Sequence, residues 1–208
     1  MKRLFIAVLA FWAVAACVWG RTATDFFTTA PDAIFRLLPQ STRLDMVDYF
    51  NYGSSKASDN YFGGQARIKA ISEAVVGLEI DKGVEVQLAV IPAKNDTVIA
   101  VVTTLALPVA DSSVKFYDTK WKELKKPPFT MPEYEDWLTA EGKKNILEAQ
   151  AYLPFMPVKA AFAPEGDVLV LVNGAEEYLG GDEAEKFRGW LVPSMTYDVK
   201  TSRFTLRK

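Results

Sequence analysis

Asp45 and Asp48 stand three positions apart in a segment of near-helical spacing, which places both carboxylates on one helix face, close enough to share a cation or act as an acid pair. Amphipathic helices display such acids routinely on a solvated face, so the pair weighs little as chemistry. Glu133, Glu135 and Asp136 crowd a helix start, where the positive end of the helix dipole accounts for them. Asp167, Glu176, Glu177, Asp182, Glu183 and Glu185 form an acidic tract without the fixed Asp/Asn/Gly/Glu spacing of a calcium loop. Neither Gly63-Gly64 nor Gly180-Gly181 follows a strand, opens a helix and carries the lysine and hydroxyl of a phosphate loop. No catalytic residue, metal site or cofactor is assigned.

The chain contains no histidine. That removes Ser-His-Asp triads, Cys-His pairs, His-ligated metals and the usual general base near neutral pH. Carboxylate dyads, Ser-Lys pairs and tyrosine nucleophiles survive this filter. The enzymatic alternative is a carboxylate-dependent glycan hydrolase, which requires a deep cleft holding two acids about 5 to 9.5 Å apart, one of raised pKa.

Asn60-Tyr61-Phe62-Gly63-Gly64 offers a different chemistry. Two adjacent aromatics in a polar, glycine-ended loop can anchor a protein partner or stack on a sugar, so Tyr61 and Phe62 are the binding candidates. Their alternative fate is to fold back onto the core. Trp121, Trp137 and Trp190 are expected in the core or on a sheet face.

The first residues read as an export signal. Lys2 and Arg3 precede the apolar run from Leu4 to Ala16, which is short of the ~20 residues a membrane-spanning helix needs. Two cleavage chemistries fit its end. Val14-Ala15-Ala16-Cys17 resembles a lipoprotein box and would acylate Cys17, giving a signal of residues 1–16; Val18 and Gly20 suit ordinary signal peptidase and a signal of residues 1–20. Cys17 is the one cysteine in the chain, so the exported protein has no internal disulfide. Having lost Lys2 and Arg3, the product carries a net charge of about −4, too little for electrostatic capture of nucleic acid or anionic lipid. Any membrane attachment would therefore run through the lipid anchor.

The elements that must position these residues follow from caps and periodicity. Thr28, Thr29, Pro31 and Asp32 predict a short helix to about Leu38, and Ser41 can cap a second whose Leu44, Val47 and Phe50 face inward until Asn51 and Gly53. A polar loop spans residues 54–64. Strands are predicted over Ala74–Ile80, Val84–Ile91, Val98–Leu107 and Val114–Leu124, joined by turns short enough for hairpins. After Pro127 and Pro128, Thr130 to Glu133 predict a new helix start with Tyr134, Trp137 and Leu138 on one face, then a helix over Lys143–Leu153. Strands at Val158–Phe162 and Val168–Val172, a polar Gly-Asp-Glu segment, a helix around Ala184–Trp190 and a final pair at Met195–Val199 and Arg203–Leu206 complete the chain.

Aligning Thr29-Ala30-Pro31-Asp32 with Thr130-Met131-Pro132-Glu133 suggests a degenerate repeat. The expected fold is α+β, two tandem units of short helices packed on an antiparallel sheet, residues 24–126 and 127–208.

Phe26-Phe27 through Pro31-Asp32, Arg43-Leu44-Asp45-Met46-Val47-Asp48-Tyr49 and Gly63-Gly64 together resemble the exported proteins of Bacteroidales grouped only as a domain of unknown function. The resemblance implies a cell-envelope location and a two-lobed fold similar to tandem β-lactamase-inhibitor-like units, and no activity or site. Asp96-Thr97-Val98 is similar to the short O-glycosylation acceptor of that bacterial group, making Thr97 the modification candidate. The function expected is a non-enzymatic envelope module, in the periplasm or on the outer membrane, that binds a protein or glycan.

Overall fold

The computed structural model describes residues 20–207, apart from Ser55, Asn95 and Leu107. Cys17 and the export signal lie outside the described residues. The first helix, α1 (Ala23–Thr29), starts earlier than the sequence suggests, because Thr22 and Asp25 form the capping box: Asp25 N donates to the Thr22 hydroxyl and Thr22 N donates to the Asp25 carboxylate. It ends where Ala30, preceding Pro31, is pushed into an extended conformation. The predicted helix to Leu38 is instead a pair of turns, closed by Ile34 N to Pro31 O and Leu38 N to Phe35 O, which bury Phe35 and Leu38.

The second helix, α2 (Gln40–Asn51), starts at Pro39 rather than at a Ser41 cap. Its buried face is Arg43 and Met46, while Leu44 and Phe50, expected inward, are 49% and 36% exposed. The reason is Arg43, whose fully buried guanidinium donates to the carbonyls of Ala30 and Leu38 and to Asp32, clamping the turn segment and fixing the rotation of the helix. Desolvation holds its pKa below the ordinary arginine value.

Two strands follow where only a loop and a late β start were expected: β1 (Ser58–Asp59) and β2 (Gln65–Ile71). With β3 (Val75–Asp81), β4 (Val84–Pro92), β5 (Thr97–Leu105) and β6 (Asp111–Tyr117) they form a six-stranded antiparallel meander in chain order. The sixth strand stops at Tyr117 because Asp118 accepts from Lys120 N and Lys122 N, a tight turn that puts Trp121 at φ 64°.

A single 3-10 turn, Tyr134–Trp137, is boxed by Glu133 and Asp136 rather than started by Thr130, and buries Trp137. The helix expected over Lys143–Leu153 is broken at Asn145 into α3 (Ala140–Lys144) and α4 (Ile146–Tyr152). Then come β7 (Val158–Phe162), β8 (Val168–Asn173), α5 (Ala175–Leu179) within the expected polar segment, α6 (Gly181–Arg188), β9 (Ser194–Lys200) and β10 (Arg203–Leu206). The second sheet has the order β10-β9-β8-β7 and is antiparallel throughout. The architecture is therefore α+β with two antiparallel sheets. Thr29–Asp32 lies at the exit of α1, whereas Thr130–Glu133 leads into the 3-10 turn.

The two faces of the first sheet separate by strict alternation. Val76, Leu78, Val86, Leu88, Ile99 and Val101 lie under α1 and the Pro31–Leu38 turns. Val75, Ala89, Ile91, Ala100, Val102 and Phe116 share a core with Ala160, Phe162, Leu169 and Leu171 of the second sheet. Leu138, Ala149, Leu153, Ala175 and Phe187 build a third, helical core.

The outward edge of β7 is not left open. Its Val158, Ala160 and Phe162 amides donate to Asp111 Oδ1 (3.1 Å), Ser112 Oγ (2.9 Å) and Gln87 Oε1 (2.6 Å), and Gln87 Nε2 donates back to Phe162 O (2.9 Å). Side chains of the first sheet thus stand where a fifth strand would pair, which fixes the relative position of the sheets and closes an aggregation-prone edge.

The strands give the molecule two distinct ends. The β2–β3, β4–β5, β7–β8 and β9–β10 turns share one end, where Ser72 Oγ donates to Pro164 O, Ser202 Oγ to Pro92 O, and Ala23 N, at the start of α1, to Glu73 O. The Asn60–Gly64 turn, the β3–β4 turn, the start of β7 and the end of β8, with α5 following, lie at the opposite end.

Candidate functional site

Asn60 is a buried polar side chain at the opening of a five-residue turn, and three side-chain hydrogen bonds hold that turn. Its Oδ1 accepts from Phe62 N (3.0 Å) and Gly64 N (2.9 Å), and its Nδ2 donates to Ile80 O (2.9 Å). Backbone bonds from Asn60 N to Gly64 O, Gly63 N to Asn60 O and Tyr61 N to Leu37 O complete the frame. Both glycines suit the turn. Gly63 has φ 80°, and a Cβ on Gly64 would lie 2.6 Å from Asn60 Nδ2 and 2.7 Å from Asp81 Oδ1.

This frame holds Tyr61 and Phe62 72% and 81% exposed, their rings edge to face at 5.6 Å. The sequence left open whether these aromatics fold back onto the core; they point outward on a backbone fixed from three sides. Both cross-bonds of the turn, to Leu37 and Ile80, end on residues lining an apolar cavity of about 250 Å³. Ile34, Phe35, Val86 and Val101 line it, and Arg36 is its one charged residue. The cavity exists because the Pro31–Leu38 turns, lacking a helix's regular ridge of side chains, cover this part of the sheet incompletely.

Asp45 and Asp48 are exposed on α2, and among the described residues no group of three or more Asp, Glu, Cys or His could hold a metal ion. Thr97 opens β5, half-buried beside the β4–β5 hairpin, with its amide donating to Asp96 Oδ1 (2.8 Å). It lines a wider depression of about 610 Å³ at the other end of the molecule, together with Arg21, Ser72, Glu73, Pro92 and Glu165. Asp25 and Asp198 are held below the usual carboxylate range, by hydrogen bonds from Thr22 and from Arg207 respectively, the opposite of what a general acid needs.

Sequence reasoning missed the anchor Asn60, the clamp Arg43, the cavity, and a second exposed aromatic group. Tyr152, Phe155 and Tyr178 are half-exposed at the same end as the Asn60–Gly64 turn, with Phe155 and Tyr178 edge to face at 5.1 Å. Pro154, which follows the end of α4, marks only Phe155; Tyr152 lies within α4 and Tyr178 within α5, with no such signal.

The family described as "Protein of unknown function (DUF3256)" matches residues 15–204. The chain belongs to that family. A solved structure described as a domain of an uncharacterized protein from Porphyromonas gingivalis W83 is similar to it, with a TM-score of 0.75 and 22% identity over 88% of this chain and 96% of that one. At that identity the likeness establishes a shared fold. No curated protein matches the chain.

Proposed function

We propose that this is an exported cell-envelope protein that works as a non-enzymatic binding module, engaging a protein or glycan through Tyr61 and Phe62. The observation that carries the reading is the Asn60-built turn: two large aromatics stay in water on a backbone locked by hydrogen bonds, beside an apolar cavity. Exposed aromatics on a rigid frame lose little conformational entropy on binding, which is what makes such groups effective anchors. The turn also lies at the end opposite the start of α1, so an acyl chain on Cys17 would leave it pointing away from the membrane.

Export is supported by Lys2, Arg3 and the apolar run that follows, and α1 begins late enough that cleavage before Cys17 or after Gly20 removes no described core residue. The comparison with tandem β-lactamase-inhibitor-like units belongs to the same reading, supported by the two antiparallel sheets. Among the described residues no helix is long and apolar enough to cross a membrane.

The test is affinity purification of the tagged full chain from its native envelope, with mass spectrometry of partners and of the processed N-terminus, alongside glycan-array binding. A partner or glycan retained by the natural protein and lost from Tyr61→Ala/Phe62→Ala supports the reading. Retention by the double variant overturns the assignment of the surface, and an unprocessed Met1 overturns export.

A further inference from the structure

The cavity beside the aromatic turn names the class of its partner, an inference that rests on the binding-module reading and makes its ligand specific. A sugar ring presents hydroxyls on most of its edge, and each one taken out of water needs a partner. The wall offers only two polar side chains, Arg36 and Thr103, among aliphatic and aromatic groups. A sugar seated here would bury unpaired hydroxyls, whereas a bulky apolar side chain would bury none.

Arg36 supplies the second determinant. It is exposed, it is the one charged residue lining the cavity, and among the described residues it forms no ion pair. The nearby Arg43 differs, being buried with its two terminal nitrogens bonded to Ala30, Leu38 and Asp32. Arg36 is therefore a guanidinium at an apolar site whose complement is a carboxylate. We propose that the site takes an extended segment of a partner protein in which a bulky apolar side chain fills the cavity, an adjacent Asp or Glu pairs with Arg36, and Tyr61 and Phe62 pack along the segment.

The experiment is selection of a random 12-residue phage-displayed peptide library on the purified full chain, with the Arg36→Glu chain selected in parallel. The expected result is enrichment of peptides carrying Leu, Ile, Phe or Trp beside Asp or Glu, bound at least tenfold more weakly by Arg36→Glu, which instead enriches peptides with Lys or Arg at that place. Ala33→Trp, at an exposed position on the cavity wall, blocks the cavity without touching the core and should abolish binding of the same peptides. Enriched peptides that need Tyr61 and Phe62 but carry no acid, and that bind Arg36→Glu equally, overturn the ligand class and leave the binding surface standing. Peptides indifferent to both Tyr61→Ala/Phe62→Ala and Ala33→Trp overturn the surface itself. Failure to enrich any peptide, with Tyr61- and Phe62-dependent binding on a glycan array, assigns the site to sugar and overturns the inference.

Discussion

Asn60→Ala separates the frame of the candidate site from its contact groups. The substitution deletes the acceptor of the Phe62 and Gly64 amides and the donor to the Ile80 carbonyl. Each buried backbone group left unpaired costs about 1–3 kcal/mol, but a surface turn readmits some water, so the sum should fall near 2–4 kcal/mol. For a chain of this size that corresponds to a fall in melting temperature of about 4–16 °C. Tyr61→Ala and Phe62→Ala remove only rings that already stand in water, so each should change stability by less than about 0.5 kcal/mol. Urea titration followed by tryptophan fluorescence measures all three, and binding of a captured partner or selected peptide measures the other axis. Asn60→Ala should lose both stability and binding, the aromatic variants binding alone. An Asn60→Ala protein as stable as the natural one would refute the claim that this side chain builds the turn.

Gln87→Leu should cost about 2–4 kcal/mol by leaving Phe162 N and O unpaired at the β7 edge, and should raise aggregation on heating, checked by light scattering against chemical denaturation. Arg43→Ala should destabilise by about 3–5 kcal/mol, since it strands the Ala30 and Leu38 carbonyls and leaves a void beneath the turn segment; Arg43→Lys should recover only part of this, because one ammonium cannot reproduce the guanidinium's fork. Gly64→Ala should disturb the turn through the 2.6 Å approach to Asn60 Nδ2 and weaken binding while the rest of the fold persists, as hydrogen exchange would show. Thr22's hydrogen bonds lower the Asp25 pKa in the folded chain, so ionised Asp25 adds stability that is present above its unfolded value of 3.8 and fades as pH falls through the lower folded value. Unfolding curves of the natural protein and Asp25→Asn should accordingly differ at neutral pH and converge in acid.

Strand positions were legible in the residues because a half-buried meander writes its burial as alternation. Val84, Val86, Leu88 and Val90 carried that pattern, and β4 spans Val84–Pro92. Short turns at Asp81-Lys82-Gly83 and beside Asp96 fixed the antiparallel pairing. Helices were less legible, since each is one to three turns long and depends on which hydroxyl or carboxylate wins the cap. Thr22 won over Thr28 because its box with Asp25 is reciprocal, and Pro31 then ended the helix that Thr28 was expected to start.

By itself the sequence determined the class of the protein: α+β, without histidine chemistry, with two adjacent aromatics in a glycine-ended loop. Those properties are local, set by composition, by a period of two and by which residues tolerate a turn. Tertiary structure alone decided how the loop is presented. The outward aim of Tyr61 and Phe62 depends on bonds from Asn60 to Ile80 and from Tyr61 to Leu37, and the cavity beside them depends on how turns clamped by Arg43 lie across a sheet built later in the chain. Such contacts join residues whose types are unremarkable where they stand, and nothing in the local pattern announces that they will meet.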